Sequence, residues 1–201
     1  MPENDKDLKP EEERKEDLTE KAEKEEEQDE STAAMLYDWV DALVYALIAI
    51  VLIFTLVIRM TGVVGTSMVP TLQDGDKLII SNLTSAPKPG DIVVVTKKSF
   101  RDEPIVKRVI ATAGQTVLMD YDEGKVYVDG VEEHFVNTAT TRRGDLEFPL
   151  YVPEGFIFVL GDNRNGSTDS RFSEVGLIDE RMVLGKALFR VFPLNSIGTI
   201  D

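Results

Sequence analysis

Hydrophobic and polar positions divide the chain into three textures. Between residues 4 and 30 the run NDKDLKPEEERKEDLTEKAEKEEEQDE is almost bare of apolar side chains, with only Leu8, Leu18 and Ala22 interrupting it. Residues 42–58, ALVYALIAIVLIFTLVI, then form 17 consecutive positions without a charge. From Thr61 onward the pattern changes to short, β-branched segments separated by turn signals. Residues 77–81, 91–96, 105–110, 125–128 and 156–160 read as strands. Pro87 to Gly90 and Asp122 to Gly124 break the pattern, and Asp129-Gly130 sits between apolar runs as a hairpin signal. No stretch beyond Thr61 carries a convincing 3.6-residue apolar period. The pattern predicts a mainly β domain on a single N-terminal helix.

The first texture lacks the apolar surface needed to offset the entropy of ordering it, so residues 1–34 are expected to be a solvated tail. The second texture spans roughly 25 Å as a helix, at the short end of what crosses a bilayer. Asp41 and Arg59 border it, and Tyr37 and Trp39 stand where interfacial aromatics belong. A cleaved leader would have a shorter apolar run, a basic approach and a small-residue site directly after it. A core helix apolar on every side would need a much larger protein around it. The expectation is therefore a retained membrane anchor over residues 35–60. Lysine and arginine are sparse on both flanks, with Lys21 and Lys24 before and Arg59 and Lys77 after, so charge does not set its orientation.

Composition narrows the chemistry. The chain has 201 residues, no cysteine and one histidine, His134. That leaves no disulfide framework, no thiolate nucleophile and no zinc site built from the usual nitrogen and sulfur ligands. Neither a metal nor a cofactor is expected. Net charge is −15, which argues against a nucleic-acid partner, because phosphate binding needs a basic face. Residues 1–34 hold 15 acidic and 6 basic side chains, a net of −9, and the other 167 residues carry the remaining −6.

Three segments carry candidate chemistry. In Gly65-Thr66-Ser67-Met68-Val69-Pro70 a serine stands in a Gly/Pro turn, which is either a fixed, accessible hydroxyl or ordinary turn chemistry. Val69 excludes the G-x-S-x-G elbow, and Pro70 excludes the S-x-x-K arrangement. In Ile105-Val106-Lys107-Arg108-Val109 strand alternation puts Lys107 on one face with Ile105 and Val109. Such a lysine is either buried or reaches out to water. To act as a base near neutral pH it must fall roughly 3 units from ~10.4, about 4 kcal/mol of desolvation. The third segment, residues 160–171, LGDNRNGSTDSR, is a dense polar loop after an apolar strand. It is an ordinary polar turn or a rigid hydrogen-bonded one. As a calcium loop it fails, because Arg164 occupies a ligand position and the glycine comes one residue early. With His134 near the Asp129-Gly130 hairpin and no Ser-His-Asp order, the base available to a serine nucleophile is a lysine.

In this order the segments resemble the bacterial type I signal peptidases, through GTSMVPTL (65–72), PGDIVVV (89–95), VKRVIATAGQTV (106–117) and LGDNRNGSTDSR (160–171). The resemblance runs from Leu36 to about Pro193. It implies a signal-peptidase/LexA-like β fold in residues 61–201, with a smaller inserted β portion at about 116–150. It also implies a membrane-bound serine endopeptidase that removes signal peptides from secretory preproteins after small-x-small sites. Ser67 would be the nucleophile and Lys107 its general base, with Ser167 hydrogen-bonding and orienting the lysine. Arg108 with Asp162, and Asp169 with Arg171, would be structural ion pairs near the site. Met68 and Leu72 are the candidates for the apolar substrate pocket. The implied location is the cell membrane, single-pass through the lipid bilayer, with the tail in the cytoplasm and the protease on the outer face. The single anchor and modest size are similar to Gram-positive forms.

Two features depart from the family pattern. Gly65 replaces a hydroxyl that some members use to donate to the oxyanion, leaving backbone N–H groups, chiefly that of Ser67, or water. Ala111, Ala113 and Gln115 stand where glycine, proline and aspartate are usual, which bears on the turn after Lys107. Self-cleaving Ser/Lys repressors share the chemistry, but they are soluble and carry a DNA-binding helix-turn-helix; an anchored, acidic chain does not fit them. A catalytically inactive homologue, or a membrane-tethered β module acting in assembly, remains as the alternative and would have no need of Ser67 or Lys107.

Overall fold

The computed structural model describes residues 35–52, 58–81 and 86–200. The acidic stretch 1–34 and the later part of the apolar run, 53–57, lie outside the described residues. The chain separates into two units, Met1–Leu52 and Ile53–Asp201.

The first unit contributes helix α1 (Met35–Leu52), 18 residues long and about 27 Å from end to end. Apolar side chains all round it, Leu43, Tyr45, Leu47 and Ile50 among them, are exposed within this unit. Its length and composition are sufficient to cross a membrane.

The second unit is built from strands β1 (Ile58–Gly62), β2 (Lys77–Ser81), β3 (Ile92–Val95), β4 (Ile105–Ala111), β5 (Thr116–Asp120), β6 (Lys125–Val128), β7 (Val131–Glu132), β8 (Leu150–Tyr151), β9 (Phe156–Leu160), β10 (Ile178–Asp179), β11 (Val183–Phe192) and β12 (Gly198–Thr199). The larger sheet has the order β1-β2-β11-β3-β4-β9-β10, with β12 paired to β11. The smaller sheet, β7-β6-β5-β8, is drawn wholly from the segment between β4 and β9. It is the inserted β portion. Asp129 and Gly130 both adopt positive φ, 52° and 80°, and close the β6–β7 hairpin.

The anchor was expected to reach residue 60, but Ile58, Arg59 and Met60 belong to β1. They pair antiparallel with Ser81, Ile80 and Ile79 of β2. Arg59, which marks the end of the uncharged run, falls inside the strand, so it is pairing with β2 and not the polar boundary that decides where the strand begins.

Strands β3 and β4 are buried throughout, and β3 accordingly reads as a continuous apolar run, IVVV, whereas β4 carries Lys107 and Arg108 within its apolar sequence. Ile92, Val94 and Val106 pack with Leu78, Ile80 and Ala187 in one cluster. Val93, Val95, Ile105 and Val109 pack with Ile157, Val159 and Ile178 in another. Each such side chain contributes about 1.5–3 kcal/mol by leaving water, so the middle of the sheet is the rigid part of the molecule. A third cluster, including Ile110, Val117, Val126 and Phe158, joins the inserted sheet to the larger one. The turn entering the insert, where Gln115 replaces the usual aspartate, is closed by that glutamine. Its Oε1 accepts from Thr112 N–H at 2.9 Å, and Gly114 takes φ +86°.

Candidate active site

Ser67 sits on the turn between β1 and β2, in a loop fixed at several points. Gly65, with φ +87°, donates its N–H to Asp74 Oδ1 at 2.8 Å. Asp76 accepts from Gln73 N–H at 3.0 Å and from Arg190 Nη1 at 3.1 Å. Met68 and Leu72 turn inward, and Leu72 N–H donates to Met68 O at 2.9 Å. Both side chains are fully buried in the first cluster. This corrects the expectation that they form substrate-pocket surface: they are core residues that hold the serine turn down, and they do not line the adjoining cleft.

Lys107 lies at the middle of β4, directly across the ladder from Val93. All seven residues of β4 are buried, and Lys107 itself is 3% exposed. Its Nζ donates to Ser67 Oγ at 2.8 Å and to Val106 O at 3.2 Å. Burial lowers its pKa from 10.5 to about 8. Asp169 and Asp162 pull it upward, whereas Arg101 and Arg171 reinforce the fall. At that value about one molecule in ten holds the amine neutral at pH 7. At 2.8 Å a neutral amine is within reach of the Ser67 hydroxyl proton. Ser67 N–H donates to no group among the described residues, leaving it available to an incoming acceptor.

The polar loop after β9 packs behind this pair. Arg108 binds Asp162 through two bonds of 2.9 Å, Nε to Oδ1 and Nη2 to Oδ2, and donates Nη1 to Gly90 O at 2.8 Å. Arg171 binds Asp169 in the same forked manner at 2.8 and 2.9 Å. Gly161 N–H and Arg171 N–H also donate to Asp169. All four side chains are buried, a geometry in which losing one partner leaves an uncompensated charge costing about 3–5 kcal/mol. The two carboxylates thus bind guanidinium groups and backbone N–H rather than facing one another as ligands would.

Ser167 is fully buried, but its hydroxyl makes no hydrogen bond among the described residues. The expected bond from Ser167 to Lys107 is therefore not made in this structure. The Ser167 side chain instead lies against Gly161, close to the carbonyl of Ser67, and only the absence of a side chain at Gly161 leaves room for it.

Sequence reasoning passed over three residues that the fold brings to the site. Asn163 clamps the serine turn twice, its N–H donating to Ser67 O at 2.9 Å and its Nδ2 to Thr66 O at 3.1 Å. Arg164 is buried and paired with Glu133 at 2.7 Å, tying the inserted portion to the polar loop. Arg101 lines the cleft beside Ser67. Asn163 and Arg164 lie inside the singled-out polar loop, but their partners are 31 to 97 residues away and invisible to local pattern. His134, by contrast, is exposed on the inserted portion near Glu132, away from Ser67.

The cleft has a volume of about 200 Å³ and is lined by Val64 to Ser67, Phe100, Arg101, Pro104 to Lys107, Gly166 and Thr168. A partly exposed hydroxyl beside a buried amine, at the edge of a cleft on a β scaffold, is the arrangement expected of a serine peptidase. The chain matches the family described as signal peptidase, peptidase S26, over residues 36–192, and it belongs to that family. It is 36% identical over 179 residues to a signal peptidase I of Bacillus licheniformis, covering 83% of this chain and 94% of that one. It is 35% identical over 173 residues to signal peptidase I T of Bacillus subtilis, covering 80% and 87%. A crystal structure of a signal peptidase I from Enterococcus faecalis V583 is similar with a TM-score of 0.41 and 28% identity, covering 51% of this chain and 97% of that one.

Proposed function

We propose that the chain is a membrane-bound endopeptidase that removes signal peptides from secretory preproteins, with Ser67 as nucleophile and Lys107 as general base. The observation that carries the reading is the 2.8 Å contact between Ser67 Oγ and the Nζ of a buried lysine. Neutral Lys107 takes the hydroxyl proton as Ser67 Oγ attacks the scissile carbonyl. The oxyanion is met by Ser67 N–H, because Gly65 has no hydroxyl to offer. Collapse of the intermediate breaks the C–N bond, and Lys107 returns its proton to the leaving amine. Water then attacks the ester as Lys107 again accepts a proton; the acyl–Oγ bond breaks, the proton returns to Ser67 Oγ, and the cleaved signal segment leaves as a carboxylate.

The forked pairs Arg108–Asp162 and Asp169–Arg171 stiffen the loop behind Lys107 and hold charges that act on its pKa. Ser167 is placed to limit the room around the site by packing on Gly161. A small cleft suits the alanine-sized side chains that flank signal-peptide cut sites. Helix α1 spans the bilayer, with the acidic tail on the cytoplasmic side and the β unit outside; the family resemblance supports that orientation, since flanking charge does not.

The test is cleavage of a preprotein with an Ala-x-Ala site by the full chain in detergent, compared with Ser67→Ala and Lys107→Met. Cleavage at that site, lost in both variants, supports the assignment. Folded wild type inert on several preproteins points instead to an inactive homologue, and activity surviving Lys107→Met removes lysine as the base.

A further inference from the structure

Apart from buried Lys107, the cleft is lined by one ionisable side chain, Arg101. Its backbone is firmly held. Phe100 and Arg101 both donate their N–H to Lys97 O, at 2.8 and 2.9 Å, and Lys97 Nζ is tied to Leu177 O at 3.1 Å. Phe100 packs on the second core cluster, and the guanidinium of Arg101 lies 5.7 Å above its ring. No carboxylate among the described residues forms an ion pair with Arg101. Neighbouring Asp102 and Glu103 neither contact it in that way nor line the cleft. The result is an exposed cation, anchored at its base and without a counter-ion among the described residues, lining the cleft beside Ser67.

We propose that Arg101 is a specificity-determining residue that favours preproteins with an acidic side chain close to the scissile bond. This rests on the peptidase reading above. The acid belongs at a position other than the two small ones before the cut, which are too confined for a carboxylate side chain. That leaves the residue between them or the first residues of the mature segment. A guanidinium presents a planar fork of donors that matches a carboxylate. The 167 residues after the tail carry a net charge of −6, so the general field of the β unit disfavours acidic segments and selecting one requires a local cation of this kind. The charge also reaches the site itself, since Arg101 is one of the two cations that depress the Lys107 pKa.

The experiment uses the full chain in detergent and peptides with alanine at the two small positions. Glu, Gln or Lys is placed singly between those alanines or at the first or second position after the cut. The reading is the Glu-to-Gln ratio of kcat/KM within each enzyme. Wild type is expected to favour Glu by about three- to fivefold at one of these positions, the range of an exposed ion pair, and to disfavour Lys there. High salt should shrink the ratio. Arg101→Lys should retain the preference, Arg101→Gln should bring it to about one, and Arg101→Glu should invert it. A ratio near one at every position, with the Gln peptides cleaved normally, overturns the proposal and leaves the peptidase reading standing. So does an acid preference that survives Arg101→Gln. Failure of wild type to cleave any peptide removes the peptidase reading and the proposal together.

Discussion

Lys107→Met should make the protein more stable at neutral pH while abolishing peptidase activity. Lys107 has a folded-state pKa of about 8, against 10.5 in the open chain. Between those values the unfolded chain holds a proton that the folded one releases, so wild-type stability rises with pH across that window. Below pH 8 the folded protein bears the full cost of a buried charge, about 3 kcal/mol at 1.36 kcal/mol per unit. The linkage relation leaves about 2 kcal/mol at pH 9 and under 1 kcal/mol at pH 10.5. Methionine fills a similar volume without a charge. Hydrogen bonds lost to Ser67 Oγ and Val106 O reduce its advantage, but equally at every pH. The quantity to measure is therefore the wild-type minus Lys107→Met difference in unfolding free energy, by urea denaturation of the full chain in detergent from pH 7 to 10.5. All other titrating groups are common to both proteins and cancel. The difference should change by about 2–3 kcal/mol over this range, in favour of wild type as pH rises. A pH-independent difference, or one that changes in the opposite direction, would refute a depressed pKa at this site.

The same pKa sets the rate profile: kcat/KM should fall about tenfold per unit below pH 8 and level off above it, and an acid limb near the ordinary lysine value would show the amine to be solvated. Asn163→Ala removes the Nδ2 bond to Thr66 O and the Oδ1 acceptor for Gly166 N–H; kcat should drop by about 10–100-fold, with a smaller change in KM, as the serine turn loosens. Gly161→Ala puts a methyl group into the Ser167 side chain and the Ser67 carbonyl; because the carbonyl is backbone, the variant should lose about 1–3 kcal/mol in thermal unfolding and most of its activity. Wild-type-like behaviour of Gly161→Ala would mean the polar loop does not pack this closely on the serine turn.

The legible parts of this fold were those whose signal is local. Strands β2, β6 and β9 appear at the residues where β-branched runs end in turn signals, and the β6–β7 hairpin follows from Asp129-Gly130. The longest strand, β11, was missed because its ladder is interrupted: register shifts fall between Val183 and Gly185, Ala187 and Phe189, and Arg190 and Phe192. Each bulge resets the two-residue alternation, so ten strand residues never present a clean period. Strand β1 was divided between the expected anchor, which took in residues 58–60, and the β texture that starts at Thr61. At the site, Ser67 and Lys107 drew attention as a serine in a Gly/Pro turn and a lysine in an apolar strand, but local pattern left both readings open and the family resemblance supplied their expected roles. Asn163, Glu133 and Arg101 drew none, since a polar residue in a polar stretch gains meaning only from a partner the sequence does not display.

The site also explains why the central strands must be so thoroughly buried. A lysine useful as a base has to be kept out of water, and the fall in its pKa from 10.5 to about 8 comes first from desolvation, with Asp169 and Asp162 opposing it. Those carboxylates could restore the proton to Lys107 if they faced it unpaired. Each is instead engaged by a forked guanidinium at under 3 Å, which spends most of its field on a neighbouring cation. The arginines therefore do more than brace a loop. Replacing Asp162 with asparagine would remove the carboxylate that Arg108 binds through two bonds, raising the local positive potential while weakening the loop. The expected signature is a lower stability together with an acid limb displaced below pH 8, because Asp162 is one of the charges that raise the Lys107 pKa and its loss disfavours the protonated amine. A purely structural pair would lower stability and leave the limb where it is.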